Sequence, residues 1–161
     1  MRLDTGGPAA PCFSPDGQWL GFSDEFSKTL KKVAVAGGTA VAVAVADGVT
    51  RGVVWLPDDT MVFATNAPET GLQQVAAGGG PVTVLTRPDQ GKGEADHVWP
   101  EALPGGRALL FTIVATTGNA EASQIAVLDL ATGTQTVVLR GGSHAHYVAS
   151  GHLVYAAGRT L

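Results

Sequence analysis

The stretch PCFSPDGQWLGF at residues 11–22 decides the fold, because it has the pattern of a strand, a tight turn and a second strand. Its Pro-Asp-Gly centre supplies the fixed φ of proline and the positive φ of glycine that such a turn requires. The pattern recurs as VVWLPDDTMVF at 53–63 and as PEALPGGRALLF at 100–111, and a fourth copy lies at 145–155. The copies are spaced by roughly 42 to 47 residues, which is typical of propeller blades.

Each of the first three copies is followed by two more segments with the composition of strands, separated by a glycine-containing turn. These segments lie at 30–35 and 40–43, at 72–75 and 82–85, and at 125–130 and 136–139. Four strands per repeat predict an all-β chain that forms a partial β-propeller of four-stranded antiparallel blades. We expect one domain over 1–161, with blades at about 8–47, 50–87 and 97–140 and a half-blade at about 144–161.

The composition agrees with a folded, β-rich protein. Apolar residues make up 45% and charged residues 15% of the 161 residues, which is enough apolar material for a core. The 22 glycines and 9 prolines argue against a helical bundle, because they favour chain reversals. The single cysteine, Cys12, excludes an intrachain disulfide framework and a cysteine-based zinc ribbon.

The charge balance bears on partners and compartment. Fourteen acidic and ten basic residues give a net charge of −4, which offers no broad attraction for nucleic acid or anionic membranes. The Ala/Val run at 39–46 stops at Asp47, short of the roughly 18 residues of a membrane span. Residues 1–4 lack the apolar stretch of a signal peptide. We therefore expect a cytoplasmic protein without nucleic-acid or membrane partners.

The phrases FSPDG, LKKVAVAGG and GSHAHYVASGHLVYA resemble the Trp-Asp-repeat-like propellers of the bacterial Tol-system type. Such domains have six or seven blades and are often fused behind bacterial Ser/Thr protein kinases. The resemblance covers nearly the whole chain and implies a propeller fold, whereas propellers serve many functions. None of the kinase signatures is present in this sequence, so we do not expect kinase activity.

About three and a half blades leave an arc with open sheet faces, while propellers typically close with four to eight blades. Two copies would supply six full blades and two half-blades, about the content of a six- or seven-bladed ring. A two-fold homodimer is the simplest way to cover the open faces. The alternatives are a piece of a longer propeller and a higher oligomer that exchanges half-blades.

Three histidines are expected near the ring axis, because the first strand of each blade lines the central channel. Aligning the repeats places His144 opposite Trp99 and His146 opposite Glu101, and His97 lies just before the first strand of the third blade. Residues i and i+2 of a strand share a face, which brings His144 and His146 together. With Asp96 as an oxygen ligand, His97, His144 and His146 suit a divalent transition metal such as zinc.

Glu94, Trp99 and Glu101 accompany these histidines and are predicted to contact a ligand at the channel mouth. The main interpretation is a binding module for a small ligand, an ion or a peptide, with no catalytic residue assigned. A metal-dependent hydrolase of esters or phosphoesters is the enzymatic alternative, because a bound metal activates water. A protein-interaction scaffold is the third. Polar residues also line propeller channels simply because the channels are wet.

Overall fold

The computed structural model describes residues 8–157, which form fourteen strands in four antiparallel sheets. The first sheet contains β1 (Pro8–Phe13), β2 (Trp19–Asp24), β3 (Thr29–Ala34) and β4 (Val41–Val45). The second contains β5 (Thr50–Trp55), β6 (Thr60–Thr65), β7 (Leu72–Ala76) and β8 (Thr83–Val84). The third contains β9 (Glu94–Ala102), β10 (Ala108–Ala115), β11 (Gln124–Asp129) and β12 (Gln135–Arg140). The fourth contains β13 (Ser143–Val148) and β14 (His152–Ala156).

Each sheet keeps its strands in chain order, so every strand pairs with the next one along the sequence. Three sheets of four strands and one of two strands confirm the partial β-propeller that the repeats predict. Two short 3-10 turns, Gln90–Lys92 and Ala120–Ala122, are the helical segments of the described part of the chain. None of its helices is both long and apolar enough to span a membrane.

The first turn of each repeat folds as its residues predict. In the first copy, Gly17 has a φ of 69° and donates its N–H to the Ser14 carbonyl at 2.9 Å. The Asp16 carboxylate accepts from the backbone N–H of Gln18 at 3.0 Å, and this side-chain hydrogen bond stabilises the turn. In the second copy Asp59 adopts the positive φ, at 65°, where the first copy has glycine.

The core consists of layers between neighbouring sheets, and β6 shows how one strand serves two layers. Met61 and Phe63 point to the first sheet and are fully buried. Val62 and Ala64 point to the third sheet and pack in the cluster that contains Phe111. This alternation follows the two-residue period of a strand, and burial on both faces is expected for a blade inside a propeller. The third sheet and the fourth share a smaller cluster of Leu110, Ile125 and Ala145.

The inner strand of the third sheet is longer than the sequence indicates. The sequence places Glu94, Asp96 and His97 just before this strand, but β9 begins at Glu94. It pairs with β10 from Glu94, opposite Ala115, to Ala102, opposite Leu109. His97 therefore lies within the paired part of β9, and the register shift near Trp99 sets which face of the sheet its side chain is on.

The described strands form an arc with apolar side chains at its outer parts. Val41 and Val45 on β4 are more than half exposed, and Val154 on β14 is 44% exposed. The fourth sheet packs against the third through β13, which contacts β10 and β11. Within residues 8–157, β14 has no further strand on its outer edge. These surfaces are available for another sheet.

Candidate functional site

The inner strands β1, β5, β9 and β13 converge on one cavity of about 580 Å³. The charged and aromatic side chains on its wall are Arg51, Trp99, Glu101, His144 and His146. Four of these five were predicted as site residues from the repeats, and Arg51 was not. The cavity lies where the sequence places the propeller channel, on the inner side of the arc.

Each of the four inner strands carries a β-bulge at the same point of the repeat. The residues Ala10, Gly52, Trp99 and His144 have positive φ angles of 50°, 113°, 53° and 51°. The pairing with the second strand shifts register at each of these points. Positive φ is uncommon for residues other than glycine and strained for bulky ones. Because a bulge redirects side chains, it turns Trp99 and His144 toward the cavity.

The bulges are the feature that the sequence interpretation missed, and Gly52 was the signal for them. Gly52 occupies the position that Trp99 and His144 hold in the later repeats, and a glycine inside a strand often marks a bulge. A Cβ at Gly52 would lie 3.0 Å from Pro100 Cδ and 3.0 Å from Trp99 Cα. The backbones of the second and third sheets therefore meet at this point, and Gly52 leaves the space that Trp99 needs.

Trp99 and His144 form an aromatic stack on the cavity wall. Their ring centroids are 4.7 Å apart and their planes differ by 6°. The backbone N–H of His144 donates to Thr112 Oγ1 at 2.9 Å, which holds the bulge against the third sheet. Partial burial lowers the pKa of His144, and the neighbouring His146 lowers it further. Both effects favour the neutral form of the stacked imidazole.

Glu101 and His146 form a hydrogen-bonded pair that joins the third sheet to the fourth. His146 Nδ1 lies 2.5 Å from Glu101 Oε2, and Glu101 Oε1 accepts from the backbone N–H of Tyr147 at 2.7 Å. Both carboxylate oxygens are thus engaged, which fixes the orientation of the Glu101 side chain. The imidazole is tilted by 41° to that of His144, with the ring centroids 5.1 Å apart.

His97 is not in the cavity, and the prediction that it lies near the axis is corrected. Its side chain is fully buried, with Nδ1 2.8 Å from Thr86 Oγ1 and Nε2 3.1 Å from Glu94 Oε2. Thr86 Oγ1 accepts from the backbone N–H of Leu72 at 2.8 Å, so the Thr86 hydroxyl can donate its hydrogen bond to His97 Nδ1. The imidazole then carries its proton on Nε2 and donates it to Glu94.

The reason is that β9 places His97 on the sheet face that packs against the second sheet. The ring lies 5.1 Å from that of Phe111, at the interface of these two sheets. Burial lowers the pKa of His97, and the Glu94 carboxylate opposes this shift in part. His97 is therefore a core histidine whose two ring nitrogens are satisfied inside the protein.

Asp96 and Glu94 also lie outside the cavity wall. Asp96 accepts from the backbone N–H of His97 at 2.7 Å. Burial raises the pKa of Asp96 to about 6, against the hydrogen bond from His97 and the nearby positive charge of Arg51. Glu94 is held by His97 and by the backbone N–H of Asp89 at 2.8 Å. These two carboxylates were predicted as a metal ligand and a ligand contact, and the structure places them in the surroundings of His97.

The predicted metal set is divided between two places. His144 and His146 line the cavity, while His97 and Asp96 lie at the interface of the second and third sheets. Within residues 8–157 the structure holds no group of three or more His, Cys, Asp or Glu side chains arranged for a metal ion. The donors at the cavity therefore do not fit the zinc-like site that we predicted.

The fold is similar to those of solved β-propellers. A TolB-like protein from Agrobacterium tumefaciens matches with a TM-score of 0.77 at 18% identity, over 96% of this chain and 55% of that one. A gluconolactonase-like protein matches with a TM-score of 0.74 at 16% identity, over 98% of this chain and 58% of that one. Regucalcin from Agrobacterium tumefaciens, a calcium-binding protein, matches with a TM-score of 0.65 at 14% identity, over 98% and 57%.

The chain thus spans a little over half the length of these propellers. No protein-family model matches the sequence, and no curated protein matches it either. At such identities the likeness shows the fold alone. The chain is a β-propeller of the kind found in TolB-like and gluconolactonase-like structures, and its chemistry has to be argued from its own cavity.

Proposed function

We propose that the chain is a β-propeller module that binds a small ligand in the axial cavity and closes its ring with a second copy. The observation that carries the binding proposal is the convergence of Trp99, Glu101, His144 and His146 on one cavity wall. Two of these residues sit at positive φ, and strained backbone of this kind clusters at ligand sites.

The cavity chemistry favours a flat ring with an anionic or polar substituent. The Trp99–His144 stack offers an aromatic surface, and stacking against it is worth about 0.5–1.5 kcal/mol beyond the area buried. Arg51 is the one permanent cation among the lining residues, and it forms no ion pair with any residue of the described part of the chain. A small aromatic molecule or a peptide side chain of the same chemistry fits these groups.

Tryptophan signals test this proposal directly, with 4-nitrophenol as the probe. The chain has three tryptophans, which give three indole N–H signals in a nitrogen-15 spectrum, assigned by single Trp→Phe variants. We expect 4-nitrophenol at millimolar concentration to shift the Trp99 signal. The signals of Trp55 and Trp19 should not shift. Trp55 Nε1 donates to Asp59 Oδ1 at 2.8 Å, and the ring centroid of Trp19 lies 4.9 Å from Lys32 Nζ.

Two variants give this titration a matched comparison. His144→Ala removes half of the aromatic surface and should weaken the response of Trp99 at least threefold. His152→Ala removes an exposed histidine that contacts Ser150 and should leave the response unchanged. Binding at the cavity is contradicted if Trp99 does not shift, or if Trp19 and Trp55 shift with it.

Ring closure by a second copy is supported by length and by exposed surface. The chain spans 55–58% of the propellers it resembles, so two copies supply about one ring. The exposed valines Val45 and Val154 lie on the first and fourth sheets, which are the two ends of the arc. Covering these ends with another arc removes apolar surface from water, at about 25 cal/mol per Å².

Hydrolysis of an ester in the same cavity is the second candidate, and the Glu101–His146 hydrogen bond favours it. The similarity to a gluconolactonase-like structure is consistent with this candidate. Regucalcin is described as calcium-binding, and an oligogalacturonate lyase of similar fold was solved with manganese. The donors at this cavity do not fit a metal ion. We therefore derive no step through a metal.

A further inference from the structure

We propose that Glu101 and His146 form a metal-free general-base pair that hydrolyses small aryl esters in the axial cavity. The inference rests on the proposed function, because it requires that the cavity admits a flat ring. It adds to that function a reaction, a substrate class and a role for two residues.

The hydrogen bonds of the pair determine which nitrogen of His146 is basic. Glu101 Oε2 lies at Nδ1, and a carboxylate only accepts, so Nδ1 carries the proton. Nε2 is then left with a lone pair. Among residues 8–157, His146 makes no other side-chain hydrogen bond, and 59% of its side chain is exposed. The basic nitrogen is therefore free to accept a proton from a water molecule in the cavity.

The carboxylate is held more firmly than a surface ion pair would be. Its second oxygen accepts from the backbone N–H of Tyr147, on the same strand as His146. Glu101 is in β9 and His146 in β13, so the pair also fixes the third sheet against the fourth. A carboxylate that holds an imidazole in one tautomer and stabilises its cation is the arrangement used by hydrolytic triads. Thr50 contributes a hydroxyl to the cavity wall, but it lies on the second sheet and no hydrogen bond joins it to His146 in the described part of the chain. We therefore assign water as the nucleophile.

The aromatic stack specifies the substrate class. His144 shares the cavity with His146 at a ring distance of 5.1 Å, and Trp99 stacks on its face. The lowered pKa of His144 favours an uncharged surface, which suits a neutral aryl group. An aryl ester would place its ring against the stack and its acyl carbon toward His146. Arg51 lines the same cavity, and we assign to it the positive charge that would stabilise the carbonyl oxygen as it becomes negative.

The reaction consumes one water per ester. His146 Nε2 takes a proton from water while the water oxygen bonds to the acyl carbon, and the carbonyl electrons move to its oxygen. The carbonyl then re-forms and the bond from the acyl carbon to the aryl oxygen breaks. The proton on His146 passes to the leaving aryloxide, or to water when the aryloxide is a stable anion. The products are a carboxylic acid and a phenol, and the protein is unchanged.

The test is the hydrolysis of 4-nitrophenyl acetate by the full chain, followed by the release of 4-nitrophenolate. We expect His146→Ala to lower kcat/KM by about 100-fold, in the range typical for loss of a general base. Glu101 is a positioning residue that acts through His146. Glu101→Gln keeps a hydrogen-bond acceptor and removes the charge, so it should lower kcat about tenfold and leave KM unchanged. His152→Ala is the matched control for free surface imidazole and should retain the wild-type rate.

The outcomes separate this inference from the proposed function. If 4-nitrophenol shifts the Trp99 signal but His146→Ala hydrolyses the ester at the wild-type rate, the general-base pair is wrong and ligand binding stands. A rate that falls equally in His152→Ala also overturns the pair, since the ester then reacts with any exposed histidine. If Trp99 does not respond to 4-nitrophenol, the proposed function itself fails. Retained folding of the variants is checked by their unfolding midpoints in urea.

Discussion

Replacing His97 with alanine is expected to lower the free energy of unfolding by about 3 kcal/mol. The substitution removes two buried hydrogen bonds, to Thr86 and Glu94, and leaves both partners without their acceptor or donor. It also opens a cavity beside Phe111, which adds to the cost because a packed core relaxes only in part. Urea unfolding followed by tryptophan fluorescence measures the loss.

The same variant tests the correction that places His97 in the core. A core role predicts that folded His97→Ala still shows the Trp99 response to 4-nitrophenol. Thr86→Val serves as a milder companion if the alanine variant does not fold, because it keeps the volume and removes the hydroxyl, at a cost of about 1–3 kcal/mol. His152→Ala should change stability by less than about 0.5 kcal/mol. A cost below about 1 kcal/mol for His97→Ala would contradict the core assignment.

Adding one methyl group at Gly71 is the second large effect that we expect, at about 3 kcal/mol. A Cβ at this position would lie 2.6 Å from Thr86 Oγ1 and 2.9 Å from His97 Nδ1. These atoms belong to the buried hydrogen-bond chain, and they have no free space into which to move. Gly71→Ala therefore either breaks the chain or separates the second sheet from the third. Overpacking of this kind typically costs about 1–3 kcal/mol.

Gly78→Ala is the matched control for this substitution. A Cβ at Gly78 meets nothing within 4 Å, and its backbone is not in the positive-φ region that disfavours alanine. Alanine here should be neutral or stabilising by about 0.4–1 kcal/mol, because it restricts the unfolded chain. The urea midpoint should therefore fall for Gly71→Ala and stay unchanged or rise for Gly78→Ala. Equal midpoints would show that the contacts around Gly71 are not tight.

The fold was predictable because it rests on local signals that repeat. The strand–turn–strand pattern of 11–22 is a strong local signal, since Gly17 takes the positive φ that its turn requires. The two strand-like segments that follow each copy then predicted four-stranded sheets, without information on long-range contacts. The start of β9 was less predictable, because Glu94 and Asp96 are not typical strand residues. They join the strand because they pair with Ala115 and Val114 of β10, a contact that the local sequence does not indicate.

The candidate site was predictable only where the repeat register determined it. Aligning the repeats paired His144 with Trp99 and His146 with Glu101, and both pairs are in contact in the structure. The position of His97 could not be read in this way. The bulge at Trp99 changes the two-residue alternation along β9, so residues before the bulge do not face where a regular strand would place them.

The ring itself is tested most directly by a native mass spectrum of the untagged chain over a range of protein concentrations. One chain has a mass of 16.4 kDa, and closure by a second copy predicts a species of twice that mass, about 33 kDa. Val154→Asp, which places a charge on the exposed face of β14, should shift this species toward the single chain. A single chain at every concentration would contradict closure by a second copy.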